Sequence, residues 1–155
     1  MADRKGNEVD AKSFHGEFYE LRDDILKWCG EGNFTFFFVD HTGYKKAIEI
    51  PTLCPLLKRH NSEFLITFML DFLRRFHRQS DSEELIKEIL GEVLYTSGMT
   101  SEQKEAYFLI TYRERLKSAQ LITGRKPRSA YAKILYPLKD RTIYDMVWYI
   151  LHGIH

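Results

Sequence analysis

A chain of 155 residues is long enough for one domain with a substantial core, and its 44% hydrophobic and 29% charged residues are typical of a globular protein. The net charge of +1 gives no general attraction to nucleic acid or to an anionic membrane. No apolar run reaches the roughly 18–20 residues of a membrane helix, and the polar N-terminus does not have the pattern of a secretory signal. We therefore expect a cytoplasmic protein without a membrane partner, in which Cys29 and Cys54 stay reduced.

Apolar side chains recur every three or four positions after a polar tail, residues 1–12, that we expect to be disordered. This spacing places them on one stripe of an amphipathic helix. The stripe consists of Phe14, Phe18, Leu21, Ile25 and Trp28. Two glycines, Gly30 and Gly32, are expected to end the helix.

Two short apolar runs predict strands, and each of them leads to an acid. Residues 34–40 are mostly aromatic or β-branched and end at Asp40, and residues 63–69 are followed closely by Asp71. Continuous runs of this kind predict strands buried on both faces, as in a parallel sheet covered by helices. Acids at the carboxyl ends of such strands lie where open α/β sheets bind their ligands.

Further helical segments are predicted around these strands. A short helix begins near Pro51, and another follows the second strand with Phe72, Leu73 and Phe76 on its apolar face. Two capping boxes open two more helices, and they are Asp81 with Glu84 and Thr100 with Gln103. Their apolar positions are Leu85, Ile86, Ile89, Leu90 and Val93 in the first helix, and Tyr107, Phe108, Thr111, Tyr112, Leu116 and Ala119 in the second.

The C-terminal residues change to β-rich character. Gly124, Pro127 and Ser129 predict a loop, after which residues 131–137 and 144–151 form two runs joined by a short polar connection. Such a pair predicts an antiparallel hairpin. The predicted fold class is therefore α/β: residues 13–155 form two parallel strands and a C-terminal antiparallel hairpin, flanked by helices.

Several segments resemble the three-Cys-motif partner protein family, a bacterial family with the fold of class I S-adenosylmethionine-dependent methyltransferases. They are Phe36-Phe-Phe-Val-Asp40-His-Thr-Gly-Tyr44, Glu63-Phe-Leu-Ile-Thr-Phe-Met69, Asp71-Phe-Leu-Arg-Arg-Phe76, Tyr112-Arg-Glu-Arg-Leu-Lys117 and the closing run that ends in His155. The resemblance covers about residues 14–155. It implies the C-terminal half of a Rossmann-like sheet, in which the last strand lies between the second and third strands.

Two departures from the family pattern affect what the resemblance implies. The family has an N-terminal half that supplies three strands and an acid-glycine loop for S-adenosylmethionine, and this chain shows no counterpart of it. We therefore expect the chain alone to bind no cofactor, and to use S-adenosylmethionine only if another chain supplies that half. His41 stands where the family usually has proline, which leaves the substrate-side loop in question.

The loop after the first strand is the first candidate site. In methyltransferases that act on amines, this loop accepts a hydrogen bond from the target nitrogen and stacks on its ring, so the resemblance makes Asp40 and Tyr44 the catalytic candidates. His41, Thr42 and Gly43 are candidates for substrate binding, and Gly43 would allow close backbone approach. The alternative is a strand-terminal acid that caps the next turn.

Residues of the neighbouring strand border the same predicted crevice. Thr67, Met69 and Asp71 are further substrate-binding candidates. The alternative is structural, because Met69 has the character of a core residue and Asp71 that of a helix N-cap.

Basic residues and histidines give weaker signals. Arg59, His60, Arg74, Arg75 and Arg78 could meet phosphate, but such arginines more often form a solvated helix face. The same interpretation applies to Lys117, Arg125, Lys126 and Arg128. Neither group alternates with aromatic residues, so nucleic-acid binding is not supported. His152 and His155 are three apart and would point to opposite faces of a strand, which argues against a metal site.

The strand that begins at Phe34 would be central in the complete family fold, but here it is expected to form an edge. An exposed apolar edge is a template for pairing, so we expect a protein partner or self-association through residues 34–40. Three hypotheses follow. The chain is a truncated or split methyltransferase-like domain that is inactive alone, a non-catalytic interaction module that binds a partner through the open edge, or a truncated product without independent function.

Overall fold

The computed structural model describes residues 10–40, 45–68, 81–121, 127–135 and 142–150. These ranges contain four α-helices, four strands and one short 3-10 helix. In chain order they are α1 (Phe18–Cys29), β1 (Thr35–Val39), the 3-10 helix (Lys45–Ile48), α2 (Ile50–Leu57), β2 (Ser62–Phe68), α3 (Asp81–Leu90), α4 (Ser101–Leu121), β3 (Arg128–Leu135) and β4 (Thr142–Ile150).

The four strands form one mixed sheet in the order β1-β2-β4-β3. β1 and β2 are parallel, with Phe37 opposite Phe64, and β4 runs antiparallel to both β2 and β3. The mixed α/β class, the parallel pair, the C-terminal hairpin and the predicted strand order are thereby confirmed. β1 lies at one end of the sheet, and among the described strands only β2 pairs with it.

The core lies between one face of the sheet and helices α2, α3 and α4. Alternate residues of a strand share a face, so Phe37 of β1 and Phe64 of β2 point to the same side, where their rings stack at 4.9 Å. Phe68 extends this layer and meets the ring of Tyr112 edge-on at 4.5 Å. The Tyr112 hydroxyl donates a 2.7 Å hydrogen bond to the carbonyl oxygen of Ile48, which ties α4 to the 3-10 helix.

The prediction that residues 34–40 form a strand buried on both faces is wrong. Phe37 and Val39 are buried, whereas Phe36 and Phe38 are exposed. Burial alternates because the helices cover only the Phe37 side of β1 in the described part of the chain. β2 is closer to the prediction, since Leu65 on its second face is half-buried and Thr67 is buried.

The first helix is shorter than predicted. It begins at Phe18, because the chain turns at Gly16 with a φ of 145°. Phe14 therefore lies outside the helix, although its ring still contacts that of Trp28 at 6.3 Å. The predicted end is confirmed at Gly30, which has a φ of 68°. Trp28 was expected on the buried stripe and is exposed.

Helix boundaries elsewhere follow local signals closely. The Thr100–Gln103 capping box is confirmed, since the backbone N–H of Thr100 donates to Gln103 Oε1 at 2.8 Å and that of Gln103 donates to Thr100 Oγ1 at 3.3 Å.

Two predicted boundaries near other elements are wrong. α3 ends at Leu90, where Gly91 takes a φ of 75°, so the prediction that Val93 belongs to this helix is wrong. Ser129 lies in β3 and not in the predicted loop.

Some predictions fall outside the described residues. They concern the helix with Phe72, Leu73 and Phe76, the basic residues Arg74, Arg75 and Arg78, the loop residue Gly124, and the histidines His152 and His155. Within the described ranges, no helix combines the length and the apolar character needed to cross a bilayer.

Candidate functional site

Asp40 and Thr67 are the two predicted site residues that the structure describes, and it brings them together. β1 and β2 are parallel with Val39 opposite Ile66, so the residues that follow these two lie side by side at one edge of the sheet. Thr67 Oγ1 lies 2.7 Å from Asp40 Oδ1 and 3.3 Å from the carbonyl oxygen of Val39. A hydroxyl carries one hydrogen, so Thr67 donates it to the nearer, negatively charged acceptor.

The other predicted site residues lie outside the described ranges. They are His41, Thr42, Gly43, Tyr44, Met69 and Asp71. Their roles stay predictions.

Asp40 and Thr67 differ in solvent exposure, and this difference determines which chemical role each side chain can have. Thr67 is only 6% exposed and its hydroxyl is engaged, so it is not placed to attack a substrate. Asp40 is exposed, and a carboxylate has room for further hydrogen bonds after accepting one. Thr67 therefore orients a surface carboxylate, and the carboxylate can accept a hydrogen bond from a bound group.

Asp40 and Thr67 supply one acid bonded to one hydroxyl at this edge. The expected use of S-adenosylmethionine only together with another chain stays a prediction. In the described ranges no three His, Cys, Asp or Glu residues form a cluster that could hold a metal ion.

Arg59 makes a structural contact that the sequence analysis did not predict. Its Nη2 donates to the carbonyl oxygen of Asn33 at 2.7 Å, and its Nε donates to Thr35 Oγ1 at 3.2 Å. The sequence interpretation placed Arg59 in a solvated or phosphate-binding cluster, whereas it holds the start of β1. The predicted parallel pairing of the two strands could have indicated this contact, because it places the residues that precede β2, including Arg59, beside the residues that precede β1.

The second basic group is partly described and matches its sequence interpretation. Lys117 Nζ lies 2.6 Å from Glu114 Oε1 on the surface of α4, an ordinary helical ion pair. The exposed Arg128 begins β3.

The most distinctive surface feature is an aromatic patch on β1. Phe36 and Phe38 alternate along β1, and Phe34 immediately precedes the strand; the exposed fractions of Phe34, Phe36 and Phe38 are 63%, 49% and 55%. We call these three residues the β1 aromatic face. They lie on the side of the sheet opposite the core, beside the edge that has no partner among the described strands.

Comparison of the chain with protein-family models, with curated proteins and with solved structures finds no match. The resemblance to the three-Cys-motif partner family therefore stays a prediction, and functional inference depends on the geometry of β1 and of the Asp40–Thr67 pair.

Proposed function

We propose that this chain is a protein-interaction module whose partner completes the sheet at β1. The observation that carries the proposal is the end position of β1 combined with the exposed β1 aromatic face. A strand at a sheet end presents backbone N–H and C=O groups that another strand can pair with. Exposed phenylalanines beside such an edge add apolar area that a partner would bury.

The composition of β1 supports this role. Native edge strands usually carry a charge, a proline or a bulge that discourages pairing. The five residues of β1 are Thr-Phe-Phe-Phe-Val, and none of these devices occurs among them. The strand is therefore suited to pairing with added polypeptide.

The energetics favour a reversible association. Full burial of a phenylalanine side chain is worth about 1.5–3 kcal/mol, so three side chains that are already half covered contribute roughly half of that each. Association itself costs on the order of 4–15 kcal/mol, so these side chains offset only part of that cost and hydrogen bonds at the strand edge must add to them. We expect binding that responds to protein concentration and not a permanent complex.

Charge substitutions on the β1 aromatic face test the proposal. In the double variant Phe36→Lys/Phe38→Lys both side chains point away from the core, so the fold should persist while association is lost. The matched control is Tyr95→Lys/Ile110→Lys, which adds the same charge at two exposed apolar residues far from β1 in sequence. Light scattering over a concentration series should show association of the wild type and of the control, and monomers of the β1 variant.

A dye that fluoresces on exposed apolar surface extends the test to a wild type that remains monomeric. In that case the proposal requires a dye signal that disappears in Phe36→Lys/Phe38→Lys. A monomeric wild type that binds no dye and unfolds cooperatively would count against the proposal.

A methyltransferase-like function is the second candidate, and the carboxyl edge of the parallel pair favours it. Asp40 is held there by Thr67, in a sheet whose strand order matches the order that the family resemblance implies. In this function another chain would supply the cofactor half, and Asp40 would accept a hydrogen bond from the substrate.

The second candidate has tests of its own. Calorimetry of this chain alone with S-adenosylmethionine should detect no binding, and micromolar affinity would overturn the idea that the cofactor half must come from elsewhere. The coding sequence immediately upstream is also informative. A reading frame with a strand, an acid and a glycine loop would support a split enzyme, and an unrelated gene would favour the interaction module.

A further inference from the structure

We infer that the face of the sheet opposite the core binds an amphipathic helix of another protein, a helix that carries lysine or arginine beside its apolar stripe. The inference goes beyond the proposed function, because the contact is made by side chains of this face and not by the backbone edge of β1. It is carried by the side on which the described helices pack, by the size of the side chains on the other side, and by the charges among them.

The described helices all pack on one face of the sheet. The core cluster joins α2, α3 and α4 to alternate residues of β1 and β2, and residues of α1 pack against the same cluster. α4 also holds β3 from this side, because Arg113 donates to the Ser129 hydroxyl and Lys133 donates to Glu105. Parallel strands of α/β proteins usually have helices on both faces. The opposite face, which we call the outer face, has none among the described helices.

Strand alternation assigns side chains to the outer face. Those of β1 and β2 alternate with Phe37 and Phe64 of the core. Those of β3 alternate with Ser129 and Lys133, which contact α4. The apolar part of the outer face therefore consists of Phe36, Phe38, Leu65, Ala130 and Ala132.

This apolar part has the width of one helix. The axes of β1 and β3 are three strand spacings apart, about 14 Å, and a helix with its side chains is about 10–12 Å wide. Phe36 and Phe38 are exposed on β1, Ala130 and Ala132 are exposed on β3, and Leu65 between them is half-buried. The small alanines let a helix approach the sheet closely, while the phenylalanines cover its flank.

Charges beside the apolar part favour a basic helix. Asp40 is exposed and Glu63 is half-buried, and both belong to the outer face by the same alternation. Thr67, also on this face, donates to Asp40 and holds its carboxylate above the parallel pair. The ion pairs recorded among the described residues include neither acid. Arg128, a cation of this face, begins β3 and lies two strand spacings from Glu63, about 10 Å. A lysine or arginine of the helix thus meets acids on the β1 side.

A designed helical peptide of leucine and lysine, about 14 residues long with its leucines on one stripe, is the probe. Its helix is about 21 Å long, close to the roughly 20 Å of extended chain between Phe34 and Asp40. Fluorescence titration of the labelled peptide with the wild-type chain should show saturable binding of one peptide per chain. The matched peptide with glutamate in place of lysine should bind at least ten-fold more weakly, because like charges then meet at Asp40 and Glu63.

Substitutions on β3 locate the binding away from the β1 edge. Ala130→Lys/Ala132→Lys places two long cations where the helix approaches, so affinity for the leucine–lysine peptide should fall at least ten-fold. Tyr95→Lys/Ile110→Lys adds the same charge at two exposed residues outside the outer face and should keep the wild-type affinity.

Substitutions that neutralise the acids test the choice of a basic partner. Asp40→Asn/Glu63→Gln keeps the shapes of both side chains, and an asparagine oxygen can still accept from Thr67. Affinity for the leucine–lysine peptide should fall about three- to ten-fold and become less sensitive to salt. The control Asp24→Asn/Glu31→Gln makes the same two exchanges at exposed acids elsewhere, and its affinity should stay that of the wild type.

Three results would overturn the inference. They are a wild type that binds no leucine–lysine peptide at millimolar concentration, equal binding of the two peptides, and equal losses in a variant and its control. The proposed function fails separately. Association that Phe36→Lys/Phe38→Lys abolishes and Ala130→Lys/Ala132→Lys leaves intact supports pairing at the β1 edge whatever the peptide does. If Ala130→Lys/Ala132→Lys instead dissociates the chain without peptide, the outer face binds a second copy and the inference is wrong.

Discussion

Thr67 and Asp40 show how one hydroxyl can set the direction of an exposed acid. The hydroxyl is buried and the carboxylate lies at the surface, joined by a 2.7 Å hydrogen bond across the parallel pair. A hydrogen bond to a charged group contributes more to stability than one between neutral groups. The bond thus fixes the carboxyl ends of β1 and β2 together and leaves Asp40 able to accept from another molecule.

Thr67→Val should lower the free energy of unfolding by about 1–2 kcal/mol, since it keeps the shape of the side chain and removes the donor. The same substitution should cost clearly less in an Asp40→Ala background, because the acceptor is then already gone. Urea unfolding of the four proteins of this double-mutant cycle measures the difference. Equal costs in both backgrounds would show that the bond contributes nothing.

Tyr112 links the buried aromatic cluster to a backbone carbonyl. Its hydroxyl donates to Ile48 at 2.7 Å, and burial raises the pKa of Tyr112 well above its usual range, because the phenolate would lose its hydration. Tyr112→Phe leaves the Ile48 carbonyl unpaired in the core. We expect a loss of about 1–3 kcal/mol in unfolding free energy at neutral pH.

The raised pKa also predicts how this difference depends on pH. The folded state holds the Tyr112 proton more tightly than the unfolded state, whose tyrosine pKa is about 10. Stability from this group is therefore complete below pH 10 and is lost as pH rises above it, by up to about 1.4 kcal/mol per pH unit. The advantage of the wild type over Tyr112→Phe should shrink between pH 10 and 11. A constant difference there would contradict the assignment.

At the scale of elements, the sequence predicted the ends of helices correctly where those ends depend on contacts between residues close together in the chain. The Thr100–Gln103 box joins residues three apart, and Gly30 ends α1 through its own backbone conformation, so both could be predicted from the sequence. The start of α1 could not be predicted in this way. The helical spacing of apolar residues includes Phe14, but the chain turns at Gly16 and the helix begins only at Phe18.

Thr100→Ala tests the contribution of the capping box to α4. The change removes the acceptor for the Gln103 N–H, so unfolding free energy should fall by about 1 kcal/mol. Ser97→Ala, in the loop that precedes α4, is the control and should change stability by less than about 0.5 kcal/mol. Thermal or urea unfolding compares the two. If both variants lose the same stability, the box is not what stabilises the end of the helix.

The burial of β1 could not be predicted from its residues alone. An apolar run has the same composition whether helices cover one face of the strand or both, and the number of covered faces depends on the other elements. Similarly, the sequence predicted an acid at the end of β1, but the pairing of Asp40 with Thr67 and the contact of Arg59 with Asn33 depend on the register of β1 against β2. Register joins residues 26 or 27 positions apart, beyond the reach of local patterns.

At the scale of the whole molecule, the described helices α2, α3 and α4 and the sheet enclose one core. Among the described strands only β2 pairs with β1, and the β1 aromatic face is exposed. The strand order that the family resemblance implied is present. The predicted site is represented by Asp40 and Thr67, and the surface beside it is apolar. These features together favour completion of the sheet by another chain as the activity to test first.

Amide hydrogen exchange of β1, followed by mass spectrometry at low and high protein concentration, tests this account most directly. Pairing at the open edge should protect the amides of Thr35–Val39 that point away from β2, so exchange in β1 should slow as concentration rises. The same amides in Phe36→Lys/Phe38→Lys should exchange at one rate throughout. A wild type that associates while exchange in β1 stays unchanged would contradict the account, because its contacts would then lie elsewhere.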